Sequence, residues 1–321
     1  MAKRIDYAIG IDIGGTTTKF GIVDHRGDIL YRGVISTKHE TIEPYLDDLE
    51  KALSPAIHDV GGIKNIKGIG IGAPNGNFYT GTIEYAPNLP WKGIIPLAKL
   101  VSDKFSVPAA LTNDANAAAV GEMMYGSAIG MKDFIMITLG TGVGSGIVAN
   151  GQLILGHDGF AGELGHTVVV QGGRLHWSTG MHGSLEAYAS ATGVAITAKE
   201  FLEKGDGNSL LNNYVKEEID SRIVFECAMK GDALAKDVYA FTGKILGEAL
   251  ANFVMFSSPE AIILFGGLTK AGDLIMKPTR EHMEKNLLPI FQNKVKLIFS
   301  ELREADAAIL GASALVWEMK G

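Results

Sequence analysis

Glycine placement is the tightest constraint this sequence puts on its own fold. The chain has 321 residues and 41 glycines, which gather at Gly14-Gly15, Gly70 to Gly81, Gly140 to Gly146, Gly172-Gly173 and Gly266-Gly267. Most groups follow a short apolar run, the pattern of a strand ending in a glycine turn. Tyr7–Ile11, Gly68–Ile71, Phe134–Leu139 and Ala261–Phe265 are the clearest such runs. Helical periodicity lies between them, over Thr41–Val60, Asn113–Tyr125, Leu185–Glu203, Ala233–Phe256 and Asp306–Met319. Strands alternating with helices predict an α/β architecture. A chain of this length exceeds what one core comfortably fills, which predicts two lobes. The boundary is expected near Asn113. Residues 1–112, rejoined by about 305–321, would make a small first lobe, and residues 113–304 a large second one.

Charge and cysteine usage exclude several classes. The 29 basic residues against 36 acidic ones give a net of −7, which disfavours nucleic acid and anionic membrane as partners. A phosphate-bearing ligand would therefore be held locally, by backbone amides, a metal ion or a few placed cations. The single cysteine, Cys227, forms no intrachain disulfide and lies in no metal-binding Cys motif. The apolar stretch Tyr7–Ile11 is too short for a signal-peptide core, and no run approaches membrane-spanning length. The cytoplasm is the expected compartment.

Five motifs carry candidate chemistry. In residues 9–24, IGIDIGGTTTKFGIVD, the segment after the glycines continues as a second strand, so the unit reads as a hairpin. It is neither a P-loop nor a Rossmann fingerprint. Its glycines admit close approach of a phosphate, its threonines donate hydrogen bonds, and Asp12 at the strand end can hold hydrated Mg²⁺. A plain hairpin turn would have the same sequence. Leu139 to Gly146, LGTGVGSG, is a second glycine–threonine loop behind a strand, and two such loops suit a pair of phosphate clamps. Thr112-Asn113-Asp114 stands at a strand-to-helix junction, where either polar residue can be an N-cap. A carboxylate held there is also placed to deprotonate a hydroxyl. Glu163, His166 and Glu186 are side chains able to bind vicinal hydroxyls. Gly266-Gly267, after Ala261–Leu264, leaves room for a flat ring.

Together these motifs resemble the ROK family of sugar kinases and sugar-responsive repressors, within the actin/hexokinase-like ATPases. The resemblance runs from IGIDIGGTTTKFGIVD through GIGAPNG, EYAPNLPW, TNDANAAAVGE, LGTGVGSGIV, GFAGELGHTVV and SLEAYASATGV to ILFGGL, nearly the whole chain. It implies two ribonuclease-H-like lobes with a cleft between them, ATP and Mg²⁺ as cofactors, a hexose substrate and a homodimer. Asp12 would hold Mg²⁺ through water. Gly14, Gly15, Thr16, Thr17 and Lys19 would face the phosphates, Gly140, Thr141 and Gly142 would form the second phosphate loop, and Gly266 and Gly267 the base pocket. Asn88, Asn113, Glu163, His166 and Glu186 would bind sugar hydroxyls, with Asp114 as general base. Asn75, where Pro-Gly is commoner in the family, would add a sugar contact or shape the turn. APNLPW favours glucose among the hexoses; N-acetylmannosamine, N-acetylglucosamine and fructose are the alternatives, and polyphosphate is an alternative donor.

One departure stands out. The family pattern builds a zinc site from the Gly-His histidine and three cysteines in a CxCGxxGC stretch. Here the stretch reads Leu175-His176-Trp177-Ser178-Thr179-Gly180-Met181-His182-Gly183-Ser184, with no cysteine. Serine is a poor zinc ligand beside thiolate, so the zinc site is expected to be absent. A gathering of His166, His176 and His182 on a metal is the alternative. The family's non-catalytic, sugar-sensing repressors carry a helix-turn-helix ahead of the first phosphate motif. About six residues precede the first strand here, which argues for the enzyme.

Overall fold

The computed structural model describes residues 6–205 and 208–319, so the outermost residues of the expected first lobe lie outside the described residues. Along the chain come β1 (Tyr7–Ile13), β2 (Thr17–Asp24), β3 (Ile29–Ser36), α1 (Ile42–Asp59), β4 (Ile66–Gly72), β5 (Gly76–Asn77), β6 (Thr82–Glu84), β7 (Ile94–Ile95), α2 (Leu97–Phe105), β8 (Ala109–Thr112) and α3 (Asp114–Tyr125). They are followed by β9 (Phe134–Leu139), β10 (Val143–Ala149), β11 (Gln152–Leu153), α4 (Glu186–Ala189), α5 (Ala191–Lys204), α6 (Ser221–Met229), α7 (Ala233–Ser257), β12 (Ala261–Phe265), α8 (Asp273–Lys285), β13 (Lys296–Phe299) and α9 (Glu304–Glu318). The chain divides into two compact units. The first comprises Met1–Met131, Gly146–Gly162 and Ser300–Gly321, the second Lys132–Ser145 and Glu163–Phe299.

The first unit is built on a sheet of order β3-β2-β1-β4-β8. Strands β1 and β2 form the expected hairpin, pairing Asp12 with Lys19, and β4 runs parallel to both β1 and β8. The two central strands alternate isoleucine with small residues, and alternation places these on opposite faces. Ile9, Ile11, Ile13, Ile69 and Ile71 join one core with Tyr45, Leu49 and Leu53 of α1. The other face receives α9 almost on bare backbone. A Cβ on Gly10 would lie 2.1 Å from the Ile309 carbonyl oxygen, and one on Gly70 only 1.8 Å from that of Ala312. Gly70 is therefore a strand residue at a helix contact, within the apolar run Gly68–Ile71 read as a strand. The physical reason is that a glycine inside a strand admits close approach of a second backbone.

The same close approach moves the boundary between the units. Helix α3 crosses α9 where a Cβ on Gly121 would meet Gly311 Cα at 2.8 Å. This small-residue contact ties α3 to the first unit, whereas the sequence reading began the second lobe at residue 113. Buried Glu122 of α3 adds to it, accepting from Ser127 N at 2.7 Å and bonding the Ser300 hydroxyl. The returning C-terminal helix falls in the first unit.

The second sheet has the order β11-β10-β9-β12-β13, with β12 parallel to β9 and β13. Strand β10 passes out of the second unit at Gly146, so its far half and β11 group with the first. In the second unit the long helix α7 packs along α8 through Gly243 and Gly247, where added Cβ atoms would meet Pro278 Cγ at 2.5 Å and the Thr279 carbonyl oxygen at 2.3 Å. Among the described residues no helix is long and apolar enough to cross a membrane.

Because overpacking at a backbone contact cannot be relieved by a side-chain rotamer change, Gly70→Val is expected to cost about 3 kcal/mol or more. Urea unfolding of the variant against the parent chain checks this; a loss under about 1 kcal/mol would contradict the contact.

Candidate active site

In the first unit, two parallel strand pairings line up the candidate residues. Asp12 pairs with Gly72, and Gly72 with Thr112, two residues before Asp114. A Cβ on Gly72 would lie 3.9 Å from Asp12 Oδ1 and 3.8 Å from Asp114 Cα, so the two aspartates flank a bare backbone. Asn113 is the N-cap of α3: its Oδ1 accepts from Asn116 N at 2.7 Å. That settles which of the two polar residues caps the helix. Asp114, the first helical residue, does not cap it; its Oδ1 accepts from Ala115 N at 2.9 Å.

Both carboxyls titrate above the usual aspartate range. Asp12 is pushed up to about 6, first by burial and then by the charge of Asp114, with Lys19 pulling the other way. Asp114 is exposed at its edge, yet the protein packed around its carboxyl raises it as well. Backbone amides of Asp114 and Ala115 oppose that rise. A base with a raised pKa binds a proton more readily when a hydroxyl gives one up.

The loop Gly14–Thr17 is held from three sides. Gly14 N donates to Thr17 O at 3.0 Å, Thr37 N donates to Thr16 O at 3.0 Å, and Gly15 lies where a Cβ would meet the Asn88 carbonyl oxygen at 2.7 Å. Beneath it, the buried Thr18 hydroxyl bonds Thr37 Oγ1 at 2.9 Å and Tyr45 Oη at 3.1 Å. Trp91 of the APNLPW stretch packs on Tyr45, ring centroids 4.7 Å apart. Thr16, Thr17, Lys19 and Asn88 are exposed around this loop. Asn75 takes a left-handed turn conformation with φ of 51°, and its Nδ2 donates to Glu84 O at 2.9 Å, so its amide group shapes the turn.

In the second unit the glycine loop after β9 is equally tied down. Ala191 N donates to Gly140 O at 2.8 Å and Thr192 Oγ1 to Thr141 O at 3.0 Å, both from the start of α5. Thr138 Oγ1 accepts from Gly144 N at 3.0 Å, and Glu186 Oε2 accepts from Val143 N at 2.7 Å. Gly142 has no room for a side chain, since a Cβ would lie 2.4 Å from Glu186 Oε2. Gly266, with φ of 106°, passes 2.6 Å (Cβ position) from the Leu139 carbonyl oxygen, so the Gly266-Gly267 turn abuts the same loop. Gly165 presses equally closely on the Val143 carbonyl oxygen, at 2.0 Å, which brings Glu163 and His166 to this end of the strands. Their side chains approach to 3.9 Å.

The structure thus collects Gly140, Thr141, Gly142, Glu163, His166, Glu186, Gly266 and Gly267 in one unit. It collects Asp12, Gly14, Gly15, Thr16, Thr17, Lys19, Asn88, Asn113 and Asp114 in the other. Thr138, Thr192, Thr18, Thr37 and Tyr45 support the loops and were not singled out from sequence. Isolated threonines and tyrosines carry no pattern until their partners are known. The Ser190-x-x-Gly193 cap that starts α5, Ser190 Oγ accepting from Gly193 N at 2.9 Å, was the one available signal.

The donor sets differ in what they fit. Asp12 with Asp114 nearby is a carboxylate pair whose mutual repulsion a divalent cation would relieve, and one or two carboxylates with phosphate oxygens suit Mg²⁺. The cysteine-free stretch does not fit zinc. His176 Nδ1 accepts from Ser178 N at 3.3 Å and Thr179 N at 3.2 Å, while Nε2 bonds Glu186 Oε1 at 2.6 Å. His182 Nδ1 bonds Gly173 O at 3.0 Å. Buried His166 Nδ1 and Ser184 Oγ have no hydrogen-bond partner, but they supply one imidazole and one hydroxyl. Among the described residues no three His, Cys, Asp or Glu side chains gather to hold a metal.

A chain with these two five-stranded sheets and their helices belongs to the actin/hexokinase-type ATPase class. Within it, the chain is a member of the ROK family, whose sequence model matches residues 8–319. It is 36% identical over 317 residues to a glucokinase of Halalkalibacterium halodurans, covering 97% of this chain and 94% of that protein. A glucokinase of Thermotoga maritima is 33% identical over 316 residues, 98% of each chain. Among solved structures, a ROK family glucokinase from Streptomyces griseus in complex with glucose and AMPPNP superposes with a TM-score of 0.79 at 32% identity, covering 98% of this chain and all of that one.

The raised pKa of Asp12 is a liability of the ligand-free state. A carboxyl whose folded pKa, about 6, exceeds its unfolded value of 3.8 loses stability as pH rises through that window. Asp12→Asn is therefore expected to raise the melting temperature of the ligand-free chain at pH 8, by the equivalent of ~1–2 kcal/mol after solvent screening. Near pH 4 the two proteins should melt alike; equal melting at pH 8 would contradict the shift.

Proposed function

We propose that this chain is an ATP-dependent hexose kinase that converts glucose to glucose 6-phosphate, with Asp114 as general base. The observation that carries the reading is the placement of Asp114: a carboxyl of raised pKa at the start of α3, across bare Gly72 from Asp12. Near glucokinase relatives support the substrate. In this reading Asp114 accepts the proton of the sugar 6-hydroxyl as its oxygen attacks the γ-phosphorus in line. The new O–P bond forms as the bond to ADP breaks, and the proton remains on Asp114.

Asn113 contributes its Nδ2 to a sugar hydroxyl, its Oδ1 being committed to the helix cap. Asn88, Glu163, His166 and Glu186 supply further hydroxyl contacts. The loops Gly14–Thr17 and Gly140–Gly142 hold phosphates with backbone amides and threonine hydroxyls, and Lys19 adds positive charge beside the first. Gly266-Gly267 borders the nucleotide base. Asp12 would hold Mg²⁺ through water, which would supply charge neutralisation on the phosphates. Positioning and charge neutralisation account for most of the acceleration in such transfers. The same proposal makes the protein a cytoplasmic homodimer.

Asp114→Asn keeps the helix start and removes the base. Turnover is expected to fall 10²–10⁴-fold, with glucose still bound in isothermal titration. Near-normal turnover would remove Asp114 from this role. A coupled assay over glucose, N-acetylmannosamine, N-acetylglucosamine and fructose, with ATP and polyphosphate as donors, is expected to show the highest kcat/KM for glucose and ATP. No turnover with any pair would overturn the kinase reading.

A further inference from the structure

The cysteine-free stretch that fails to fit zinc makes a different connection. His176 is 1% exposed, stacked on Trp177 with centroids 4.1 Å apart, and set edge-on to His166 at 5.9 Å. Its two nitrogens have distinct partners. Nδ1 receives the backbone N–H groups of Ser178 and Thr179, so it offers a lone pair and carries no proton. The ring proton therefore sits on Nε2 and is donated to Glu186 Oε1. The other oxygen of that carboxylate, Oε2, accepts the Val143 amide and fills the space beside Gly142 where a Cβ would stand. An unbroken chain of bonds thus runs from the turn at 176–179, through one imidazole and one carboxylate, to the glycine loop.

We propose that His176 is a positioning residue: it orients the Glu186 carboxylate against Val143 and so sets the geometry of the glycine loop. It does this where the family pattern would place a metal. Three observations converge on this role. The imidazole is buried and fully engaged, so it is not free to meet a ligand. Hydrogen bonds between a carboxylate and N–H donors are charge-assisted and directional. In the loop they hold, Gly140 and Gly142 carry no side chain and Thr141 is exposed, so little packing fixes the backbone ahead of buried Val143. The consequence for catalysis rests on the reading of this loop as a phosphate clamp. The strut itself does not.

Two variants and two kinds of measurement separate these. His176→Phe keeps the ring's bulk and removes the donor; His176→Gln keeps an N–H able to reach Glu186. In the ligand-free protein, amide hydrogen exchange of the peptide spanning 140–146 is expected to be at least tenfold faster for Phe and within about threefold of the parent for Gln. Glu186→Gln, which must turn its amide group toward one of the two N–H donors, should accelerate exchange as well. It serves if the Phe variant does not fold. In the parent chain, nitrogen-15 spectra of the imidazole should place the His176 proton on Nε2. In the kinase assay, Phe is expected to raise the KM for ATP at least tenfold, and the KM for hexose with it, because Glu186 is also read as a hydroxyl contact. Exchange and ATP KM unchanged in the Phe and Glu186→Gln variants would overturn the proposal. So would stoichiometric zinc in protein purified with zinc present, lost in His176→Phe. Faster exchange in variants of a parent that phosphorylates no hexose would uphold the strut and sink the kinase reading instead.

Discussion

The register of two parallel strand pairs is the constraint on which the placement of Asp12 and Asp114 depends. Asp12, Gly72 and Thr112 stand in line across β1, β4 and β8, and the chain then turns directly into α3 at Asp114. A slip of one residue in either pair would send an aspartate to the opposite face of the sheet. The isoleucines that alternate with the glycines resist such a slip, because it would drive Ile9, Ile11, Ile69 and Ile71 into the backbone of α9. The packing that holds the core thus holds the carboxylates, and desolvation by the surrounding protein is the first cause of both raised pKa values.

The second unit solves a related problem by another route. Its glycine loop has few side chains to pack, since Gly140 and Gly142 carry none and Thr141 is exposed. It is fixed instead by hydrogen bonds from its surroundings: the start of α5 on one side, Thr138 below, and Glu186 with His176 on the other. A loop restrained from outside keeps its shape without side chains of its own, and the cost of ordering it is met during folding. That arrangement explains why a buried histidine and a carboxylate remain paired in a stretch that has lost its thiolates.

Much of the architecture was legible in the chain. The strand–glycine rhythm located the β1–β2 hairpin, β9 and β12, and the helical periodicities located α1, α3, α5, α7 and α9 close to their observed bounds. Two features of the packing were not legible for one reason. The strand run Gly68–Ile71 gave no sign that Gly70 meets a helix, and nothing in the sequence of α3 showed that it packs on α9 in the first unit. Both are places where backbone meets backbone through missing side chains, at Gly70 with Ala312 and Gly121 with Gly311. A glycine in sequence does not reveal whether its empty side faces solvent, a turn or another helix.

By itself, then, the sequence determined the α/β class, the family and the identity of nearly every candidate ligand-facing residue. Local pattern and ordered motifs carry that information within short stretches. Tertiary structure alone decided the remaining points. It made Asn113 the cap and left the Asp114 carboxyl outside that cap, committed Asn75 to its turn, grouped α3 with the first unit, and turned His176 toward Glu186. Each of these depends on contacts between residues distant in the chain, or on which of two adjacent polar groups satisfies a backbone amide. Hydrogen-bond geometry settles such choices, and composition does not encode it.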